Sequence, residues 1–238
     1  MPLTSSQSTA QATGSRAEAS APARVVLLDN RDSFVYNLVD QFATLGSQIE
    51  VYRNNVPASR VLAALEPTEA EKAAGQRPLL ITSPGPGHPR EAGCLMELTA
   101  YALEQRIPTL GICLGYQALV EACGGQVAPV GPTHGRTDRV LVTKAGAEFA
   151  PLAPCVIAPR SGEQAPYGWI DVARYHSLGS RELPAQLVSL AHSRDDVVMA
   201  LSHASDPAVG LQFHPESILP PDGPPLIRAL FPFLTKEE

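Results

Sequence analysis

No stretch of this 238-residue sequence approaches the roughly 18 consecutive apolar residues that a membrane-spanning helix needs. There is no C-x-x-C pair and no H-E-x-x-H, and the six histidines do not cluster at metal-ligand spacing, so a metal site has no support. Cysteine is scarce. A chain long enough to bury a substantial core needs no disulfide framework, and Cys94, Cys113, Cys123 and Cys155 read as reduced thiols in a cytoplasm. Basic residues are also few, 18 Lys+Arg against 24 Asp+Glu for a net charge of -6, which argues against a nucleic-acid or anionic-membrane surface. No internal repeat is visible.

Residues 1–23 are nearly free of large apolar side chains and rich in Ser, Ala, Thr and Gln. Such a segment cannot bury enough surface to offset its ordering entropy, so a disordered tail is expected, ahead of one domain over residues 24–238. A Ser-rich stretch with Arg16 and Arg24 is also a composition found in organelle transit peptides; Glu18 and the lack of an amphipathic apolar face weigh against that reading.

From Arg24 onward short apolar runs alternate with helical patterns. "VVLLD" at residues 25–29 is the continuous apolar run of a strand covered on both faces. Phe34, Leu38, Phe42 and Leu45 then share one helical stripe, which Asp32 or Ser33 can cap and Gly46 can end. "QIEVY", "LLIT" and "IPTLGIC" read as further strands, with helices in "GCLMELTAYALEQR" and "LGYQALVEACGG". This alternation implies right-handed crossovers and a doubly wound α/β fold, a mostly parallel sheet with helices on both faces. After Gly125 strands dominate: "RVLVT", "QLVSLA", "VVMALS" and "AVGLQF". "APRSGEQAPYG" reads as a surface loop, and "PPLIRALFPFL" as a last helix interrupted by Pro232.

Three segments carry chemistry. In "TLGICLGYQ", Gly111-x-Cys113-x-Gly115 resembles the G-x-S-x-G turn, in which a nucleophile sits on a sharp strand-to-helix corner. Amides at the start of the following helix would favour a thiolate and can stabilise an oxyanion. A buried cysteine that merely packs as a small hydrophobe is the alternative. A thiol needs a base, and "LQFHPES" offers His214 with Glu216 two residues on, pointing the same way in extended backbone. "SPGPGHP" follows the strand "LLIT"; its prolines and glycines make a rigid loop with exposed amides, or simply a tight turn.

Together these segments resemble the class I (triad-type) glutamine amidotransferases over nearly all of residues 25–234, with "GICLGYQ" as the nucleophile elbow and "QFHPES" as the His and Glu segment. Cys, then His-x-Glu about a hundred residues later, is that family's order. The resemblance implies a flavodoxin-like fold with Cys113 as nucleophile, His214 as general base and acid, and Glu216 as its orienting carboxylate. It also implies an oxyanion hole from the amides of Leu114 and Gly85, in a loop continuing through Pro86 and Gly87. Gln117, and Ser177 with Leu178 in "RYHSL", match the positions that bind the substrate, L-glutamine.

"LLDNRDSFVYNL", "SPGPGHP" and "RYHSL" are most similar to the glutaminase subunits of anthranilate synthase and aminodeoxychorismate synthase. That branch implies a chorismate-using synthase as partner, component I of one or the other enzyme. No cofactor is implied in this chain, and the Mg²⁺ belongs to the partner. Two other classes fit parts of the pattern: a non-catalytic binding module on the same fold, disfavoured because no triad residue is lost, and a stand-alone Cys hydrolase, disfavoured by Gln117 and Ser177. The sequence departs from the branch in four places. "THGRTDRV" has Arg136 where lysine is common, Tyr116 stands where His is frequent, and the connections at residues 66–77 and 151–174 look long. The second contains the only tryptophan, Trp169, and is expected to be a loop near the site or partner.

Overall fold

The computed structural model describes residues 23–132, 135–159, 162, 164–217 and 223–236. The expected tail therefore lies outside the described residues except for its last member, Ala23, which is buried. In chain order the elements are β1 (Val25–Asp29), α1 (Val35–Thr44), β2 (Ile49–Arg53), α2 (Ala58–Leu65), α3 (Glu69–Ala73) and β3 (Leu79–Thr82). Then come α4 (Leu95–Glu104), β4 (Thr109–Ile112), α5 (Leu114–Ala122), β5 (Ala128–Pro129), β6 (Arg136–Val142) and α6 (Lys144–Glu148). The chain ends through β7 (Trp169–Arg174), β8 (Leu178–Gly179), β9 (Leu187–His192), β10 (Val198–His203), β11 (Ala208–Leu211) and α7 (Gly223–Thr235).

Nine strands form one sheet in the order β2-β1-β3-β4-β11-β10-β9-β6-β7. The first five are parallel, in the order of a flavodoxin-like doubly wound sheet, and the last four extend it with antiparallel pairings. Alternate side chains of the parallel strands enter opposite cores. Val25 and Leu27 pack with Leu38, Phe42 and Leu230 on the face of α1 and α7. Val26 and Leu28 pack with Val61, Leu98 and Leu114 on the other face, under α2, α4 and α5. Burial on both faces is why these strands read as unbroken apolar runs.

Two sequence expectations need correction, and the long connection at residues 66–77 gains an element. The 66–77 connection holds α3, closed by a reciprocal Thr68–Glu71 capping box and tied back to β1 by Arg24, whose Nε is 3.2 Å from Glu71 Oε1. The 151–174 stretch ends in β7, an edge strand. Trp169 pairs with Leu141 at one end of it, about 13 Å along the extended chain from Ala173, whose carbonyl meets the His214 amide. The tryptophan is thus at the end of β7 remote from His214. Pro232 does not interrupt α7. It lacks the N–H that would reach back one turn, yet it sits on the solvent side, and Leu230, Phe231 and Leu234 bury the other face through the position.

Candidate active site

Cys113 lies where β4 turns into α5, at φ 50° and ψ -95°, a left-handed conformation rare for a residue with a side chain. Its two flanking glycines explain the corner. A Cβ on Gly115 would lie 2.2 Å from the Thr82 carbonyl oxygen, and one on Gly111 would lie 2.6 Å from the Gly115 carbonyl oxygen. The head of α5 therefore sits directly on β3 and β4, which only glycine allows. The Cys113 amide donates to Leu211 O at 2.7 Å, fastening the elbow to the strand that leads into His214.

His214 and Glu216 follow β11 directly. His214 Nδ1 and Glu216 Oε1 are 2.7 Å apart and both side chains are fully covered. The ring is held on its other sides by Phe34 and Tyr175, whose centroids lie 5.8 and 5.0 Å away in edge-on contacts. Asn37 and Gln41 of α1 donate to the carbonyls of Glu216 and Pro215 at 3.3 and 3.5 Å, holding the segment against that helix. Burial by itself lowers the His214 pKa, but the Cys113 sulfur and the Glu216 carboxylate outweigh it and hold the ring charged well above the usual imidazole range. His214 Nε2 makes no hydrogen bond, leaving that nitrogen for proton transfer.

The third segment is the loop from Ser83. Asn30 grips it twice: its amide donates to Ser83 Oγ and its Nδ2 to Ser83 O, both at 2.9 Å. Gly85 then packs so closely that a Cβ there would meet Asn30 at 2.6 Å and Leu114 Cδ2 at 2.9 Å. Gly85 and Leu114, the expected oxyanion donors, are therefore neighbours. Pro86 and Gly87 form the exposed tip of the loop and are not drawn into the cluster. Its far end returns to α5, where Arg90 Nε pairs with Glu121 at 2.8 Å and His88 approaches the same carboxylate.

Gln117, one turn into α5, donates from Nε2 to Leu178 O at 3.0 Å, and its Oε1 is buried without a partner. Leu178 belongs to the short β5–β8 pair, and the carbonyl of exposed Ser177 accepts from the Val130 amide at 2.9 Å. Tyr116 points the other way, into the core, with its hydroxyl on Val198 O at 2.9 Å. Four residues were not identified from sequence: Asn30, Tyr175, Phe34 and Gln212. Each lies inside a motif already singled out, so position gave a hint. Their contacts, with residues far along the chain, gave none.

His176 is buried beside Arg174. Its Nδ1 is 3.0 Å from Leu178 O, and its Nε2 accepts from Arg174 Nε at 3.3 Å, which defines the neutral Nδ1–H form. Burial first, and the Arg174 charge second, push its pKa down to about 4. Unfolded His176 takes up a proton near pH 6.5 while the folded ring stays neutral, so its stabilisation is complete above pH 6.5 and lost as pH falls through about 4. His214 acts in the opposite direction, its contribution being lost as pH rises from about 6.5 through its raised folded value. Urea unfolding between pH 4.5 and 6.5 should show a steeper fall in stability with acid for the parent chain than for His176→Gln, by up to about 1.4 kcal/mol per pH unit. Equal slopes would mean that His176 titrates normally in the folded state.

A cavity of about 580 Å³ lined by Arg106, His203 and Phe233 opens at the start of β4 and β11, the opposite end of the sheet from Cys113. It shares no residue with the elbow, the base or the Ser83 loop.

The family model for class I glutamine amidotransferases matches residues 26–232. The chain belongs to that family. It is 46% identical over 209 residues to anthranilate synthase component 2 of Corynebacterium glutamicum, spanning 85% of this chain and 94% of that one. It is 41% identical over 205 residues to the pyocyanine-specific anthranilate synthase component 2 of Pseudomonas aeruginosa, covering 86% and 90%. Among solved structures, a candidate GMP synthase protein of Thermoplasma acidophilum superposes with a TM-score of 0.68 at 20% identity, covering 90% of this chain and 94% of that one, a likeness of fold. The amidotransferase has no helix, among the described residues, long and apolar enough to cross a membrane.

Proposed function

We propose that this chain is the glutaminase subunit of an anthranilate synthase, hydrolysing L-glutamine and passing ammonia to a chorismate-using component I in the cytoplasm. The observation that carries the chemistry is the buried His214–Glu216 pair, 2.7 Å apart, held beside a cysteine on a strained elbow. The choice of partner rests on the 46% identity to a component 2 across nearly its whole length. Residues 24–238 are taken as the catalytic unit, with residues 1–23 as a tail.

Cys113 Sγ, its proton on His214, attacks the side-chain carbonyl carbon of glutamine, and the oxyanion accepts from the amides of Gly85 and Leu114. His214 Nε2 gives its proton to the departing nitrogen, and ammonia leaves a γ-glutamyl thioester on Cys113. The neutral ring then takes a proton from water, hydroxide attacks the thioester, and glutamate departs as the thiolate–imidazolium pair is restored. Glu216 keeps the ring oriented and steadies its charge in both halves. Gln117 Oε1, unpaired and buried, is placed to accept from the substrate's ammonium. These steps use only groups of this chain; the Mg²⁺ is assigned to the partner.

The test is to combine the chain with an anthranilate synthase component I, glutamine and chorismate. Anthranilate and pyruvate should appear with one glutamate per turnover. Production only with an aminodeoxychorismate synthase component I would move the chain to that branch.

A further inference from the structure

The sulfur of Cys113 has a neighbour with no part in the scheme above. Gln212 follows β11, is wholly buried, and is anchored through its amide to Met199 O at 2.9 Å. Its Nε2 lies 3.7 Å from Cys113 Sγ, and its Oε1 accepts from Gln117 Nε2 at 3.4 Å.

The direction of this chain of contacts is fixed from one end. The Leu178 carbonyl can only accept, so Gln117 must turn its NH₂ toward it. That same NH₂ faces Gln212, so Gln212 must present its oxygen there, and its own NH₂ is left facing the sulfur. The starting carbonyl is itself held, with His176 Nδ1 at 3.0 Å and Arg174 behind His176. A side-chain amide would otherwise be free to present either atom to Cys113.

We propose that Gln212 is a catalytic residue of the glutaminase: it donates an N–H to the Cys113 sulfur, holding the anionic nucleophile, and Gln117 fixes the donor's orientation. The substrate-binding glutamine and the nucleophile are thereby parts of one hydrogen-bonded unit. An N–H directed at an anion is stronger than one between neutral groups, and within a buried site it acts with little competition from water. The proposal rests on Cys113 being the nucleophile.

Alkylation of Cys113 by iodoacetamide, followed on its own peptide by mass spectrometry across pH, reads thiolate without requiring turnover. The full chain is compared with Gln212→Met, which keeps length and removes the donor, and with Gln212→Glu, which places an acceptor against the sulfur. The sulfur interacts with His214, which in turn interacts with Glu216 and His176, and all three are unchanged in these variants. At neutral pH, alkylation should slow about three- to tenfold in Gln212→Met and further in Gln212→Glu, with the pH profile displaced upward. Gln117→Leu, which does not touch the sulfur but releases the Gln212 amide to rotate, should displace the profile in the same direction by less. It supplies the readout if substitution at Gln212 prevents folding. Profiles that overlay the parent's in the folded variants would overturn the proposal. If instead Cys113→Ser retained glutamine-dependent turnover, the reading of the nucleophile would fail, whatever Gln212 does.

Discussion

Replacing Cys113 with serine is expected to abolish glutamine-dependent synthesis by the complex while leaving synthesis from added ammonium salts within about twofold of normal. The loss should be about a thousandfold or more, because the nucleophile and its base act as a unit and neither retains much without the other. The fold should survive. The elbow depends on Gly111, Gly115 and the Cys113 amide bonded to Leu211, none of which the substitution changes, and a hydroxyl is smaller than the thiol it replaces. Ammonia supplied from solution bypasses this chain, whose proposed contribution to synthesis is the ammonia it frees from glutamine. Parallel assays with glutamine and with ammonium as nitrogen donors check the result. Near-normal turnover of glutamine by the serine variant would contradict the assignment. Glu216→Gln should be milder than His214→Ala, as the orienting group is less critical than the base.

The second large effect is that of the partner. Cys113 is 6% exposed, His214 4% and Gln117 3%, so little of the reacting surface is open to solvent in the chain alone. The proposed chemistry is also divided among separate pieces: the elbow, the segment after β11, and a Pro-Gly loop that Asn30 grips at Ser83 and packs against at Gly85, the proposed donor. A misplacement of about 1 Å in such an assembly can cost roughly a hundredfold. A synthase docked over the strand ends would touch the exposed tip at Pro86 and Gly87 and could set the loop. Glutamate release by the isolated chain should therefore be slow and should rise at least about tenfold with the partner, most with chorismate bound. Equal rates alone and in complex would mean that the site is open and complete without it.

The parallel half of the sheet was legible because its rule is local. Each strand there is a short apolar run, each helix a stripe, and the chemistry falls at strand ends where the chain turns. "LLIT" at residues 79–82 coincides with β3, and the elbow and the His-x-Glu segment follow β4 and β11 as expected. What escaped was long-range. The strand at residues 169–174 exists because it pairs with β6, and nothing within "WIDVAR" distinguishes that edge from a loop beside the site. Pro232 was read by its usual effect on a helix, and the packing of Phe231 against Phe42 at 5.6 Å overrode it. In the site itself, the residues carrying bonds and charge were visible as motifs. The contacts that orient them were not: Asn30 on Ser83 is 53 residues distant, and Gln117 on Gln212 is 95.

The measurement closest to the central claim is covalent labelling by a glutamine analogue that carries an electrophilic diazoketone in place of the side-chain amide. The chain, in complex with its synthase, is incubated with the analogue and digested, and every cysteine-containing peptide is weighed. One adduct per chain is expected, on Cys113 alone. Glutamine should protect it, and His214→Ala should slow its formation, with Cys94, Cys123 and Cys155 unmodified. An adduct on another cysteine with Cys113 unmodified, or labelling of Cys113 that glutamine does not suppress, would contradict the claim that this thiol attacks bound glutamine.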